Sequence, residues 1–260
     1  MTTYQLAIFD LDGTLLNTIS DLGCACNHAL SQFGYPEHTK DEYPHLVGNG
    51  VNRLIMRALP AEARTEDNVL RLRQVFIPYY NTHNKVHTRP YQGITHVLQE
   101  LKRQGWLLAV ASNKYQTATE DLIRHYFPGL FDVVFGEREG CPRKPDPQIV
   151  RDIEESIKTA ALQEERPTAV AENLITADSR TDRPALHNRP SAFDFEQSGL
   201  SSVIYIGDSD VDMQTAKNAD VPAVACTWGF CPRETLLTYN PPFVADKPED
   251  ILTIIKTMQQ

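Results

Sequence analysis

The chain has 260 residues, a formal net charge of −9, and a composition 41% hydrophobic and 23% charged, enough to bury the core of one large domain or of a main domain with a smaller insert. The acidic balance argues against nonspecific nucleic-acid binding, which rests on Lys and Arg neutralising phosphates, and no run approaches the roughly 18 apolar residues of a membrane span. No basic leader precedes the first strand and the five cysteines have no framework spacing, so a soluble cytoplasmic protein in a reducing compartment is expected.

The first predicted element, Leu6-Ala7-Ile8-Phe9, is an apolar run that ends in Asp10-Leu11-Asp12-Gly13-Thr14. Two carboxylates at a buried strand end cost several kcal/mol each unless a cation or hydrogen bonds compensate, so their placement points to function. Residues 16–88 then read as helices, with apolar spacing near 3.6 over Ser20 to Ser31, Val51 to Leu59 and Val69 to Asn81, and are expected to form a helical cap inserted into the core. Cys24 and Cys26 lie within that stretch near His28, but residues two apart on a helix point to nearly opposite sides, which makes a poor zinc site.

From Gly93 helix and strand alternate: Ile94 to Gln104, Trp106 to Ala111, Gln116 to His125, Phe131 to Phe135, Pro147 to Lys158, Ser202 to Ile206, Val211 to Ala219, Ala223 to Cys226, and a last helix over Pro248 to Met258. Such alternation predicts an α/β fold, a doubly wound, Rossmann-like parallel sheet with right-handed crossovers, built from 1–15 and 89–260. The interval between Lys144 and Asp208 is about twice the roughly 30 residues of a plain strand–helix–strand unit. Its excess, 159–200, has no period and carries Arg180, Arg183 and Arg189, and is expected to be an irregular insertion in the core.

Three further motifs each follow a predicted strand. They are Ser112-Asn113, Lys144-Pro145 and Gly207-Asp208-Ser209-Asp210-Val211-Asp212. Singly, these residues read as helix caps or solvated turn residues. Together, in order and at the carboxyl edge of a parallel sheet, they read as one site.

The order Asp-x-Asp-Gly-Thr, Ser-Asn, Lys-Pro, Gly-Asp-Ser-x-x-Asp over residues 10 to 212 resembles the haloacid dehalogenase superfamily of phosphotransferases. Within it the chain is similar to phosphoglycolate phosphatases, through Leu46-Val47-Gly48-Asn49-Gly50 and Thr227-Trp228-Gly229-Phe230. The resemblance implies a Mg²⁺-dependent hydrolase of small phosphate monoesters, 2-phosphoglycolate first among them, with Asp10, Asp208, the Asp12 carbonyl and Asp212 around the metal.

Chemistry agrees with that implication. An ionised Asp10 needs no base to attack phosphorus and gives an aspartyl phosphate. A dianionic phosphate beside one carboxylate is repelled by roughly twice the 4 kcal/mol of two unit charges about 4 Å apart at an effective dielectric of 20, about six powers of ten in rate, so a cation is required. Lys144 supplies a second positive charge, Ser112 and Asn113 are expected to bind phosphoryl oxygens, and Asp12 is left with proton transfer. Thr14 is expected to orient Asp12 or the phosphate, while Asn49 and Arg53, in the helical segment, are expected to reach the substrate.

The sequence leaves two rivals open. A phosphoglucomutase-like transferase would use the same carboxylates, and Thr14, in place of the valine similar to mutases, favours hydrolysis. The other is a catalytically silent protein that binds a phosphorylated metabolite. Oligomeric state is not legible in the sequence.

Overall fold

The computed structural model describes residues 5–164 and 203–258. The arginines at 180, 183 and 189 and most of the expected insertion lie outside the described residues. Six parallel strands form the main sheet: β1 (Leu6–Phe9), β4 (Leu107–Tyr115), β5 (Val133–Glu137), β6 (Val203–Gly207), β7 (Ala223–Cys226) and β8 (Phe243–Ala245), in spatial order β5-β4-β1-β6-β7-β8. Counted along the chain this is 3-2-1-4-5-6. Order reverses at β1, and the crevice beyond its carboxyl end is where such sheets bind ligands.

β1 divides its side chains between the two faces, as strand periodicity dictates. Ala7 and Phe9 join one core with α5 (Ile94–Arg103), α6 (Gln116–Tyr126) and α10 (Asp250–Met258). Leu6 and Ile8 join the other, with α7 (Gln148–Glu164), α8 (Asp210–Asn218) and Leu236 of α9 (Arg233–Leu237). A strand buried on both faces needs a continuous apolar run, which is what made β1 visible in the sequence.

Between β1 and β4 lies a layer of helices with its own apolar cluster: α1 (Ile19–Gln32), α2 (Tyr43–Leu46), α3 (Val51–Ala58) and α4 (Glu66–His83). The chain enters and leaves it through a two-stranded antiparallel stem, β2 (Leu16–Asn17) with β3 (Arg89–Pro90). Buried Asp21, at the start of α1, fastens the same junction by accepting from the backbone N–H groups of His87 and Thr88 and from Thr88 Oγ1. A two-residue strand is too short to show a period, so the stem was not foreseen.

The remaining differences are in element bounds and short elements. α7 runs to Glu164, beyond the expected end at Lys158. β8, on the open edge of the sheet, went unpredicted because two prolines precede its three residues. Cys24 is exposed and Cys26 buried, on different sides of α1 as expected. Among the described residues no helix is long and apolar enough to cross a membrane.

Candidate active site

Asp10 follows β1 directly, and its N–H donates to Ile206 O of β6 at 2.9 Å. Lys144 comes from the loop between β5 and α7. Its Nζ donates to Asp10 Oδ1 at 2.7 Å, Asp212 Oδ1 at 2.7 Å, Ala111 O at 2.8 Å and Tyr205 Oη at 3.1 Å. Both Asp10 and Lys144 are buried. Burial pulls the ammonium down, but the carboxylates of Asp10 and Asp212 outweigh it and hold Lys144 well above the usual lysine value.

Asp208 follows β6. Its Oδ1 accepts from Thr14 Oγ1 at 2.8 Å and its Oδ2 from the Phe230 N–H at 2.8 Å. A Cβ built on Gly13, which has φ +98°, or on Gly229 would overlap this carboxylate. Glycine is therefore required on both sides of Asp208. Burial, then repulsion from Asp212, pushes Asp208 up to about 7, and the same two causes raise Asp10 well above its usual value against the pull of Lys144.

One oxygen from each of Asp10, Asp208 and Asp212 lies within 4.8 Å of the others. Three carboxylates thus face the single ammonium of Lys144, a deficit that fits a divalent cation. An all-oxygen donor set is the kind Mg²⁺ takes. Asp212 is nearly filled already. Its Oδ1 also accepts from Tyr205 Oη at 3.1 Å, and its Oδ2 accepts from the N–H and Oγ of Ser209 at 3.1 and 2.5 Å. Its evident work is to hold Lys144 and to cap α8, as the Ser209–Asp212 capping box shows.

The expected site residues divide into three groups. Asp10, Asp12, Ser112, Lys144, Asp208 and Asn49 all line one cavity of about 490 Å³, set between the carboxyl edge of the sheet and the helical layer. Asn113 also reaches it, but its carboxamide is committed: Nδ2 donates to Lys144 O at 3.1 Å, and Oδ1 accepts from the Lys144 N–H at 2.9 Å. It positions the lysine and keeps one Nδ2 hydrogen unused.

Two expectations are corrected. Thr14 is fully buried and is not on the cavity wall; its hydroxyl orients Asp208, neither Asp12 nor a phosphate. Arg53 is exposed and off the wall, because Val51, Leu54, Ile55 and Ala58 turn the opposite face of α3 inward. Arg57, one turn later, lines the cavity instead, with Nη1 donating to the carbonyls of Leu46 and Val47 at 3.1 Å each.

Sequence reasoning also missed contributors. Lys114 Nζ donates to both oxygens of Asp12 at 2.9 Å, and Thr18 Oγ1 donates to Asp12 Oδ1 at 2.7 Å. Lys114 had a visible signal, since it directly follows Ser112-Asn113. Thr18 had none.

Residues 7–165 match the family model of haloacid dehalogenase-like hydrolases. The chain belongs to that family, and its fold and clustered carboxylates agree with the assignment. Within the family it is 25% identical over 252 residues to a phosphoglycolate phosphatase of Aquifex aeolicus (strain VF5), covering 96% of both chains. It is 29% identical over 226 residues to one from Cereibacter sphaeroides (strain ATCC 17025 / ATH 2.4.3), covering 86% of this chain and 85% of that one. A solved structure from Lactobacillus delbrueckii subsp. bulgaricus ATCC BAA-365, provisionally named a phosphoglycolate phosphatase, superimposes with a TM-score of 0.76 at 29% identity, over 96% of this chain and 97% of that one.

Proposed function

We propose that this hydrolase is a Mg²⁺-dependent phosphatase of small phosphate monoesters, 2-phosphoglycolate first among them, that works through an aspartyl phosphate on Asp10. The observation that carries the reading is the Lys144 ammonium, bonded to Asp10 and Asp212 beside the Asp208 carboxylate, at the foot of one cavity. The names of relatives at 25–29% identity support the choice of substrate.

In this reading Asp10, Asp208 and the carbonyl of Asp12 hold the metal, with Asp212 behind them. When bound, Mg²⁺ offsets the charge of the phosphoryl group and of the carboxylate facing it. Asp10 attacks phosphorus, the bond to the leaving oxygen breaks, and Asp12 gives that oxygen its proton. Asp12 then takes a proton from water as the water oxygen attacks the aspartyl phosphate, which frees inorganic phosphate and restores Asp10. Lys144 keeps Asp10 oriented and shares the charge of the phosphoryl oxygens. The Ser112 hydroxyl, which accepts from the Lys114 N–H at 3.2 Å, retains its own hydrogen for a phosphoryl oxygen.

The helical layer, 16–88, serves as a cap that excludes bulk water and selects the leaving group, with Asn49 and Arg57 at the substrate's far end. Thr14 no longer argues for hydrolysis over transfer, since it only supports Asp208.

The test is phosphate release from a panel of small monoesters, with Mg²⁺ and with chelator, alongside an assay for isomerised sugar phosphate. Free phosphate that depends on Mg²⁺ and disappears in Asp10→Asn is expected. Isomerised sugar without net phosphate release would replace the reading with a mutase, and silence throughout would replace it with a binding protein.

A further inference from the structure

We propose that Lys114 is a positioning residue, holding the Asp12 carboxylate towards the leaving group and linking its orientation to the helical layer through Tyr80. This rests on the phosphatase reading and adds a residue to it. An ammonium buried to 4% side-chain exposure costs several kcal/mol unless paired. The carboxylate that Lys114 meets is Asp12, gripped through both oxygens at 2.9 Å. With Thr18 Oγ1 on Oδ1, Asp12 has three donors around it and little freedom to rotate.

The lysine itself is fixed from behind. It stands in the register shift of β4 between Ala111 and Tyr115, its N–H donates to Ser112 Oγ, and its carbonyl accepts from Thr119 Oγ1 at 3.2 Å. A Cβ on Gly136 would collide with that carbonyl, so the backbone has no room to shift towards β5. On its open side Nζ lies 4.7 Å from the centroid of the Tyr80 ring, which projects from α4, and Asp12, Lys114 and Tyr80 all line the same cavity. A cation over an aromatic face is favourable, most of all when desolvated. The Asp12 clamp is therefore complete only when the helical layer lies against the sheet edge as seen here.

Lys114 neither gives nor takes a proton in this proposal. Asp12 takes up a proton from solvent before this step, the proton moves to the leaving oxygen as the phosphorus–oxygen bond breaks and the Asp10–phosphorus bond forms, and Lys114 pairs with the carboxylate left behind. An alkoxide needs that proton to leave and p-nitrophenolate does not, so loss of the clamp must show as a dependence on leaving group.

The experiment compares kcat/KM, which covers the steps through phosphorylation of Asp10, for p-nitrophenyl phosphate and for the alkyl monoester with the highest turnover in the panel. Lys114→Met is expected to lose about 10²-fold on the alkyl ester, within the usual range for general acid catalysis, and only a few-fold on p-nitrophenyl phosphate. Lys114→Arg restores most of the difference. Lys114→Met combined with Asp12→Asn should be no worse than Asp12→Asn alone, since both changes disable one group. Equal losses on the two substrates, or no loss on either, overturn the proposal. Should Lys114→Met not fold, Tyr80→Leu and Tyr80→Phe decide: the first must show the same selectivity in smaller measure and the second must not. Failure of the wild-type protein to release phosphate with Mg²⁺ would strike the underlying phosphatase reading instead.

Discussion

Asp208 shows how a residue's neighbours decide what it can do. Two glycines give it room, two donors aim its oxygens, and burial keeps water off it. Thr14→Val would remove one donor from a buried carboxylate, a loss of about 1.5 kcal/mol, or roughly tenfold. Mg²⁺ affinity measured by titration is expected to fall by that factor, with turnover at saturating Mg²⁺ largely kept; an unchanged affinity would separate Thr14 from the metal site. At this scale the sequence disclosed which residues lie together more readily than what each one touches. Asp10, Asp12, Lys144 and Asp208 were legible because charged groups at buried strand ends need a reason. Thr14 was misassigned because a motif fixes proximity and leaves direction to packing. Arg53 was a different failure, since the Val51, Leu54, Ile55, Ala58 stripe already placed it on the outward face.

Elements deliver these residues through their irregularities. Ser112, Asn113 and Lys114 occupy the register shift of β4, where the strand leaves its even pairing and can aim consecutive side chains differently. The sequence showed β4 as an apolar run ending at Ala111, because no periodicity marks a strand that continues irregularly. Asp220 has φ +57° at the end of α8, and its N–H donates to Lys217 O while that of Val221 donates to Ala216 O. This left-handed position disfavours residues with a Cβ. Asp220→Gly, at an exposed site, is expected to raise stability by up to about 1 kcal/mol in chemical denaturation without altering activity. A destabilisation would mean that the Asp220 side chain contributes more than its backbone strain costs.

Over the described residues the α/β order was legible in its longer elements, since each long strand carries an apolar run and each long helix a 3.6-residue stripe. The stem of β2 and β3 was not, because two-residue strands are chosen by the elements they join. The assembled site also has a pH signature. Folding raises Asp208 from the ordinary 3.8 to about 7, so between those values the folded, metal-free chain binds more protons than the unfolded one. Its stability therefore falls as pH rises through that window, while Mg²⁺ bound as proposed would select the ionised carboxylates. The increase in Tm on adding Mg²⁺ should accordingly be larger at pH 8 than at pH 6, and an equal or larger increase at pH 6 would contradict the placement of the metal.

The proposed mechanism is covalent: in it the phosphoryl group rests on Asp10 between the two halves of the reaction. Rapid acid quenching during turnover of the best substrate, followed by peptide mass spectrometry, reads it directly. A phosphoryl group on the peptide carrying Asp10, absent in Asp10→Asn and accumulating in Asp12→Asn with p-nitrophenyl phosphate, is the expected result. Phosphate released with no adduct at any time point, or an adduct on a residue other than Asp10, would contradict it.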